Sequence, residues 1–192
     1  MKKIVKIALG IVALFLVVLW YSHIEKANAI YDSQLDIKQY LETGEMFGKT
    51  VDQEFVSREN IIHGVSIKCK QIGAMQDISE AIIVCSVLEI GTLEIVAQGS
   101  TNIAELQNSK FNKIEFDEPI TQSKGKQYLL QIETKDDNAE STIALFTQPD
   151  AQETLIVRII TKRFDLETCI VLVLFIAFIL GFMRVLVKLF SK

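Results

Sequence analysis

The fifteen residues 169–183 carry no charge, and this run constrains the chain more than any other feature. Residues 185–190 extend it past Arg184. A helix rises about 1.5 Å per residue and the hydrocarbon core of a bilayer is about 30 Å thick, so about 20 apolar residues are wanted for a span. A chain of 192 residues has no core wide enough to hide a helix that is apolar all round. The run therefore predicts a membrane helix, with Arg184 and Lys188 reaching the headgroups through their aliphatic stems. A second apolar block, 4–21, holds one charge, Lys6, near its start. Trp20 and Tyr21 close it, as amphipathic rings do at a membrane interface.

Charge sets the expected orientation. Lys2, Lys3, Lys6, Arg184, Lys188 and Lys192 flank the outer ends of the two blocks with no acid beside them. Basic residues are retained on the cytoplasmic side, so both termini are expected inside and the middle of the chain outside. Lys162 and Arg163 oppose this but have Asp165 and Glu167 beside them. The alternative for the N-terminus is a cleaved secretory signal ending at Ala27-Asn28-Ala29, which leaves the middle outside as well.

The middle reads as an ordinary soluble domain. Residues 22–165 contain 14 Lys and Arg against 23 Asp and Glu, a net charge of −9. Such a balance argues against nucleic acid or an anionic lipid surface as partner. Catalytic patterns are missing too. The two histidines are His23, at the membrane edge, and His63, inside an apolar run, too few for a triad or a histidine-rich metal site. No Gly-rich phosphate loop or Cys-x-x-Cys occurs, and Asp117-Glu118 and Asp136-Asp137 sit at turn signals beside Pro119 and Asn138. No enzyme activity, cofactor or metal is expected. Of three cysteines, Cys169 begins the second apolar block, while Cys69 and Cys85 lie in apolar runs of the outer domain. A Cys69–Cys85 disulfide is permitted in that compartment; a buried pair of free thiols is the alternative.

Period-two alternation dominates the middle. Val65, Ile67 and Cys69 share one face against Ser66 and Lys68; Tyr128, Leu130 and Ile132 share one against Leu129 and Gln131; Leu93, Ile95 and Ala97 share another. Strands are expected near 51–55, 61–69, 81–90, 93–97, 113–116, 127–133, 141–147 and 154–160. Gly91-Thr92 and residues 123–126 read as turns, 73–80 as a loop, and Asn102 as the cap of a short helical turn. Asp117-Glu118-Pro119 is expected to end a strand, because proline cannot donate to a ladder. About eight short strands predict a mainly β protein: an extracytoplasmic antiparallel β-sandwich flanked by N- and C-terminal transmembrane helices. The boundaries are 1–21 for the first helix, 22–44 for a stalk, 45–165 for the sandwich and 166–192 for the second helix.

The segments Val51-Asp52-Gln53-Glu54-Phe55, Ile62-His63-Gly64-Val65-Ser66-Ile67 and Gly91-Thr92-Leu93-Glu94-Ile95 carry a resemblance. So do 111–120 and Ser123-Lys124-Gly125-Lys126-Gln127-Tyr128. Over 45–147 the chain resembles jelly-roll, galactose-binding-like domains of bacterial envelope proteins, as fused to membrane glycosyltransferases of surface polysaccharide synthesis. The resemblance implies a carbohydrate-binding-like module whose partner is a surface glycan or a membrane protein of polysaccharide assembly. Sugar-binding sandwiches present Trp or Tyr faces to pyranose rings; here the sole Trp is Trp20, and the domain offers Tyr40 and Tyr128. Gln53 and Lys126 are the loop positions picked as ligand contacts. The expected role is an accessory binding module of an envelope assembly complex. The alternative is a regulator of polysaccharide chain length or export, which shares the plan of a helix at each end.

Overall fold

A computed structural model of the chain describes residues 2–73 and 80–190, without the side chains of residues 2–8 and 11. Most of the loop expected at 73–80, the charged groups of Lys2, Lys3 and Lys6, and Lys192 lie outside the described residues. Two compact units make up the chain: Met1–Glu25 with Lys162–Lys192, and Lys26–Thr161.

The first unit holds two helices, α1 (Lys2–Tyr21) and α2 (Leu166–Phe190). Among the described residues α2 alone is long and apolar enough to cross a membrane, and none of it is buried in the protein. The described apolar part of α1 is Val12–Tyr21, short of the length a span wants, so the expected pair of flanking spans reduces to one. The helices meet along an apolar groove that includes Leu14, Val18, Val173 and Ala177. Asp165 ties the start of α2: its N–H donates to the Ser22 carbonyl at 2.8 Å, and its Oδ2 accepts from the Thr168 hydroxyl at 2.8 Å.

The second unit is mainly β, in antiparallel sheets. Chain order runs β1 (His23–Ala29), β2 (Leu41–Glu45), β3 (Thr50–Val56), β4 (Ile61–Gly73), β5 (Ile82–Glu89), β6 (Ile95–Asn102), β7 (Phe111–Thr121), β8 (Gln127–Lys135), β9 (Ser141–Thr147) and β10 (Val157–Phe164). One sheet has the order β1-β10-β4-β9-β2, with β7 also paired to β4; the other is β3-β8-β5-β6. The inward residues of both sheets share one core, as in a β-sandwich. Ile62, Val65, Ile67 and Cys69 of β4 meet Ile83, Cys85, Tyr128, Leu130 and Ile132 of the other sheet. Full burial of side chains this size stabilises by about 1.5–3 kcal/mol each relative to exposure, which is what holds the sheets together. Between β6 and β7 the two sheets approach so closely that a Cβ on Gly99 would stand 2.2 Å from the Glu115 carbonyl oxygen.

Several local expectations change. Residues 22–44, expected as a stalk, contribute β1 and β2 instead: β1 lies beside β10 and β2 pairs with β9. Strand β7 runs through Pro119 to Thr121. Its register against β4 shifts between Ile62–Ile120 and Gly64–Glu115, and this irregularity frees Pro119 from the ladder. Leu93 does not share a strand face with Ala97. It sits before β6 with φ 56°, 66% exposed, beside a register shift between Val87 and Leu88. The expected cap does form: Asn102 Oδ1 accepts from Ala104 N at 2.7 Å and starts the short turn Ile103–Glu105.

Candidate functional site

Alternation along β4 turns Val65, Ile67 and Cys69 inward and Ser66 and Lys68 to the opposite face. Lys68 is nevertheless only 8% exposed. The register explains what surrounds it. Phe111 of β7 pairs directly with Lys68, and Phe146 of β9 stands one step beyond the Cys69–Leu145 pair. The connection between β1 and β2 then adds Tyr31 and Tyr40. The Lys68 ammonium lies 4.9 Å from the Tyr40 ring centroid, 5.6 Å from that of Phe146 and 5.8 Å from that of Phe111. Arg158, opposite Ser66 in the register, lays its guanidinium 3.7 Å from the Phe111 centroid. Its Nε donates to the Tyr31 hydroxyl at 3.4 Å. Tyr31 and Phe111 stack with 18° between their planes, and Tyr31 meets Tyr40 edge-on at 84°.

Cation–π attraction of this kind is worth about 0.5–2 kcal/mol per contact, growing with desolvation. It is incomplete compensation for two neighbouring cations. Burial, and next the Arg158 charge, hold the Lys68 ammonium below its ordinary pKa. Burial and then the neighbouring Tyr31 raise that of Tyr40. Lys70–Glu42, Lys113–Glu115, Lys126–Glu89 and Lys135–Glu133 form ion pairs, and none of these four involves Lys68, Arg58 or Arg158.

Beside this cluster a polar cleft of about 530 Å³ opens, lined by Asn28, Tyr31, Ser33, Gln34, Arg58 and Arg158 among others. Its loop is pinned by Asp32, whose Oδ1 accepts from Gln34 N at 2.9 Å and whose N–H donates to Gln148 Oε1 at 3.0 Å. Asn28 donates to Glu59 Oε1 at 3.4 Å. A cavity of about 240 Å³ adjoins it and shares Asn28, Ala29 and Arg58. The arrangement offers cationic donors, neutral amides and aromatic rings, and so suits binding. Among the described residues no group of three or more His, Cys, Asp or Glu side chains converges to hold a metal ion.

Gln53 and Lys126 do not line this cleft. Gln53 Oε1 accepts from Leu155 N at 3.0 Å, and its amide donates to Glu54 O at 2.9 Å. Lys126 pairs with Glu89 at 3.0 Å, and that carboxylate raises its pKa. Cys69 and Cys85 are free, fully buried thiols on facing sheets; burial raises both pKa values, that of Cys69 to about 11. The residues that build the cleft were missed because Tyr31 and Asn28 fall in the supposed stalk. The one sequence signal was Lys68 itself, a lysine inside an apolar strand. Comparison with protein-family models gives no match, and comparison with curated proteins gives none either.

Proposed function

We propose that this chain is a membrane-anchored, extracytoplasmic β-sandwich of the jelly-roll kind that acts as a binding module, accessory to an envelope or surface-polysaccharide assembly complex. Both apolar ends anchor it, with the termini cytoplasmic. The order β2-β9-β4-β7 set against β3-β8-β5-β6 supports the jelly-roll reading, since it is the pairing of a double Greek key. The apolar, unburied α2 supports the anchor.

The observation that carries the binding role is the cleft of Asn28, Ser33, Gln34, Arg58 and Arg158, set against an aromatic cluster on a rigid sheet. Pockets with convergent polar groups beside apolar walls are the usual form of ligand sites. The test is a glycan array probed with the full-length protein in lipid nanodiscs. Binding that is lost on filling the cleft with Ser33→Trp is expected; an array without a positive, or one indifferent to Ser33→Trp, counts against the cleft as a glycan site.

A further inference from the structure

We propose that the cationic–aromatic face is an anion site in which Arg158 and Arg58 receive the carboxylate or phosphate group of an acidic glycan, with the buried Lys68 ammonium adding positive charge behind them. This rests on the binding-module reading and names its ligand class. Lys68 is more than nine-tenths buried, and no hydrogen bond from its ammonium to a protein acceptor is seen among the described residues. A buried cation is costly unless it is paired, and aromatic faces repay only part of the loss of water. Arg158 adds a second cation to the same neighbourhood, close enough to lower the Lys68 pKa. These charges stand together in a domain whose net charge is −9, so they are local exceptions to its composition. An anion on Arg158 would offset the charge that acts on Lys68 as well.

The guanidinium is suitably placed for that task. Only Nε of Arg158 is engaged, on Tyr31, and its terminal nitrogens carry no hydrogen bond among the described residues. Those two donors form the planar fork that matches a carboxylate or phosphate. The cleft that Arg158 shares with Arg58 supplies Asn28, Ser33 and Gln34, which suit sugar hydroxyls. Among the described residues that line the cleft the one carboxylate is Asp32, whose Oδ1 accepts from Gln34 N in its own loop. A glycan bearing acidic groups therefore fits both halves, its anion at the arginines and its hydroxyls along the amides.

The experiment is isothermal titration calorimetry on the full-length protein in nanodiscs of neutral lipid, with three probes: tetragalacturonate, inorganic phosphate and the neutral maltotetraose. Expected is binding of tetragalacturonate that weakens as salt rises. That affinity should fall about tenfold or more in Arg158→Gln, the scale of losing one charge-assisted hydrogen bond, and by a smaller factor in Lys68→Met, which removes only the charge behind it. Arg58→Gln changes an exposed residue and keeps the test valid should either of the other variants fail to fold. Phosphate binding with the same dependence on these residues supports the site with phosphate as the recognised group. Maltotetraose binding as tightly as tetragalacturonate overturns the anion site while leaving a glycan-binding module in place. Binding indifferent to all three substitutions overturns it, as does absence of binding by both acidic probes.

Discussion

Replacing Gly99 by alanine tests how the sandwich is closed. Gly99 lies on β6, and a Cβ there would stand 2.2 Å from the Glu115 carbonyl oxygen of β7. Ordinary contact begins near 3.4 Å, so about 1 Å of separation must open between two backbones. Neither side can turn away as a flexible side chain would. Glu115 is held from its other flank as well, since β4 Gly64 pairs with it and a Cβ on Gly64 would stand 2.3 Å from Ile114 O. Overpacking costs about 1–3 kcal/mol, and a ladder hydrogen bond stretched by the shift adds about 1 kcal/mol. Against this, alanine narrows the unfolded ensemble and returns about 0.4–1 kcal/mol. The net expectation is a loss of about 2–3 kcal/mol, which for a unit of this size lowers the midpoint by roughly 6–10 °C. Thermal unfolding of the full-length protein, followed by the far-ultraviolet β-sheet signal, measures it. Gly125→Ala is the control: its φ is +80° but nothing lies within 4 Å, so it should cost only about 1 kcal/mol. If Gly99→Ala costs no more than Gly125→Ala, the close approach of β6 to β7 is not what the packing argument requires.

Three further outcomes are expected. Lys68 is held below the ordinary lysine pKa of 10.5, so the unfolded chain binds more protons between the folded and unfolded values and stability rises with pH across that window. The cost of the buried ammonium is fully present below the folded value and is relieved as pH rises to 10.5; in urea unfolding the stability of wild type relative to Lys68→Met should therefore rise toward high pH, and a flat difference would refute it. The Cys69 thiol, raised to about 11, and the buried Cys85 should resist maleimide in the folded protein at pH 7.5, yet both should alkylate without reductant once unfolded. A mass two hydrogens lower with both sites blocked would instead reveal a bridge. Asn102→Ala removes the acceptor for Ala104 N and should cost about 1 kcal/mol, read as a shift of the urea midpoint at unchanged slope.

The parts of the fold legible in the sequence are those set by local pattern. The uncharged run of α2 needs no partner to be recognised, and the alternation of Tyr128, Leu130 and Ile132 in β8 matches their burial. Strand β1 was illegible because His23–Ala29 has few apolar residues and owes its form to lying beside β10. Pro119 misled for a related reason, since the bulge that accommodates it is a property of the β4–β7 pair. The candidate site was hidden more deeply. Alternation places Lys68 on the polar face of β4, and its ammonium is covered by Tyr40 of the β1–β2 connection, which Tyr31 meets edge-on. The bond from Arg158 to Tyr31 spans 127 residues of sequence, a separation at which no periodicity speaks.

Site-specific photo-crosslinking in the native membrane tests the central claim most directly. A photoreactive side chain replaces Gln34, which lines the cleft, and a control replaces exposed Asp52 on β3 of the other sheet. The binding-module account predicts that the Gln34 position captures a surface glycan or a membrane protein of polysaccharide assembly, identified by mass spectrometry, and that the Asp52 position does not. Identical products at the two positions, or only copies of this chain at Gln34, would contradict it.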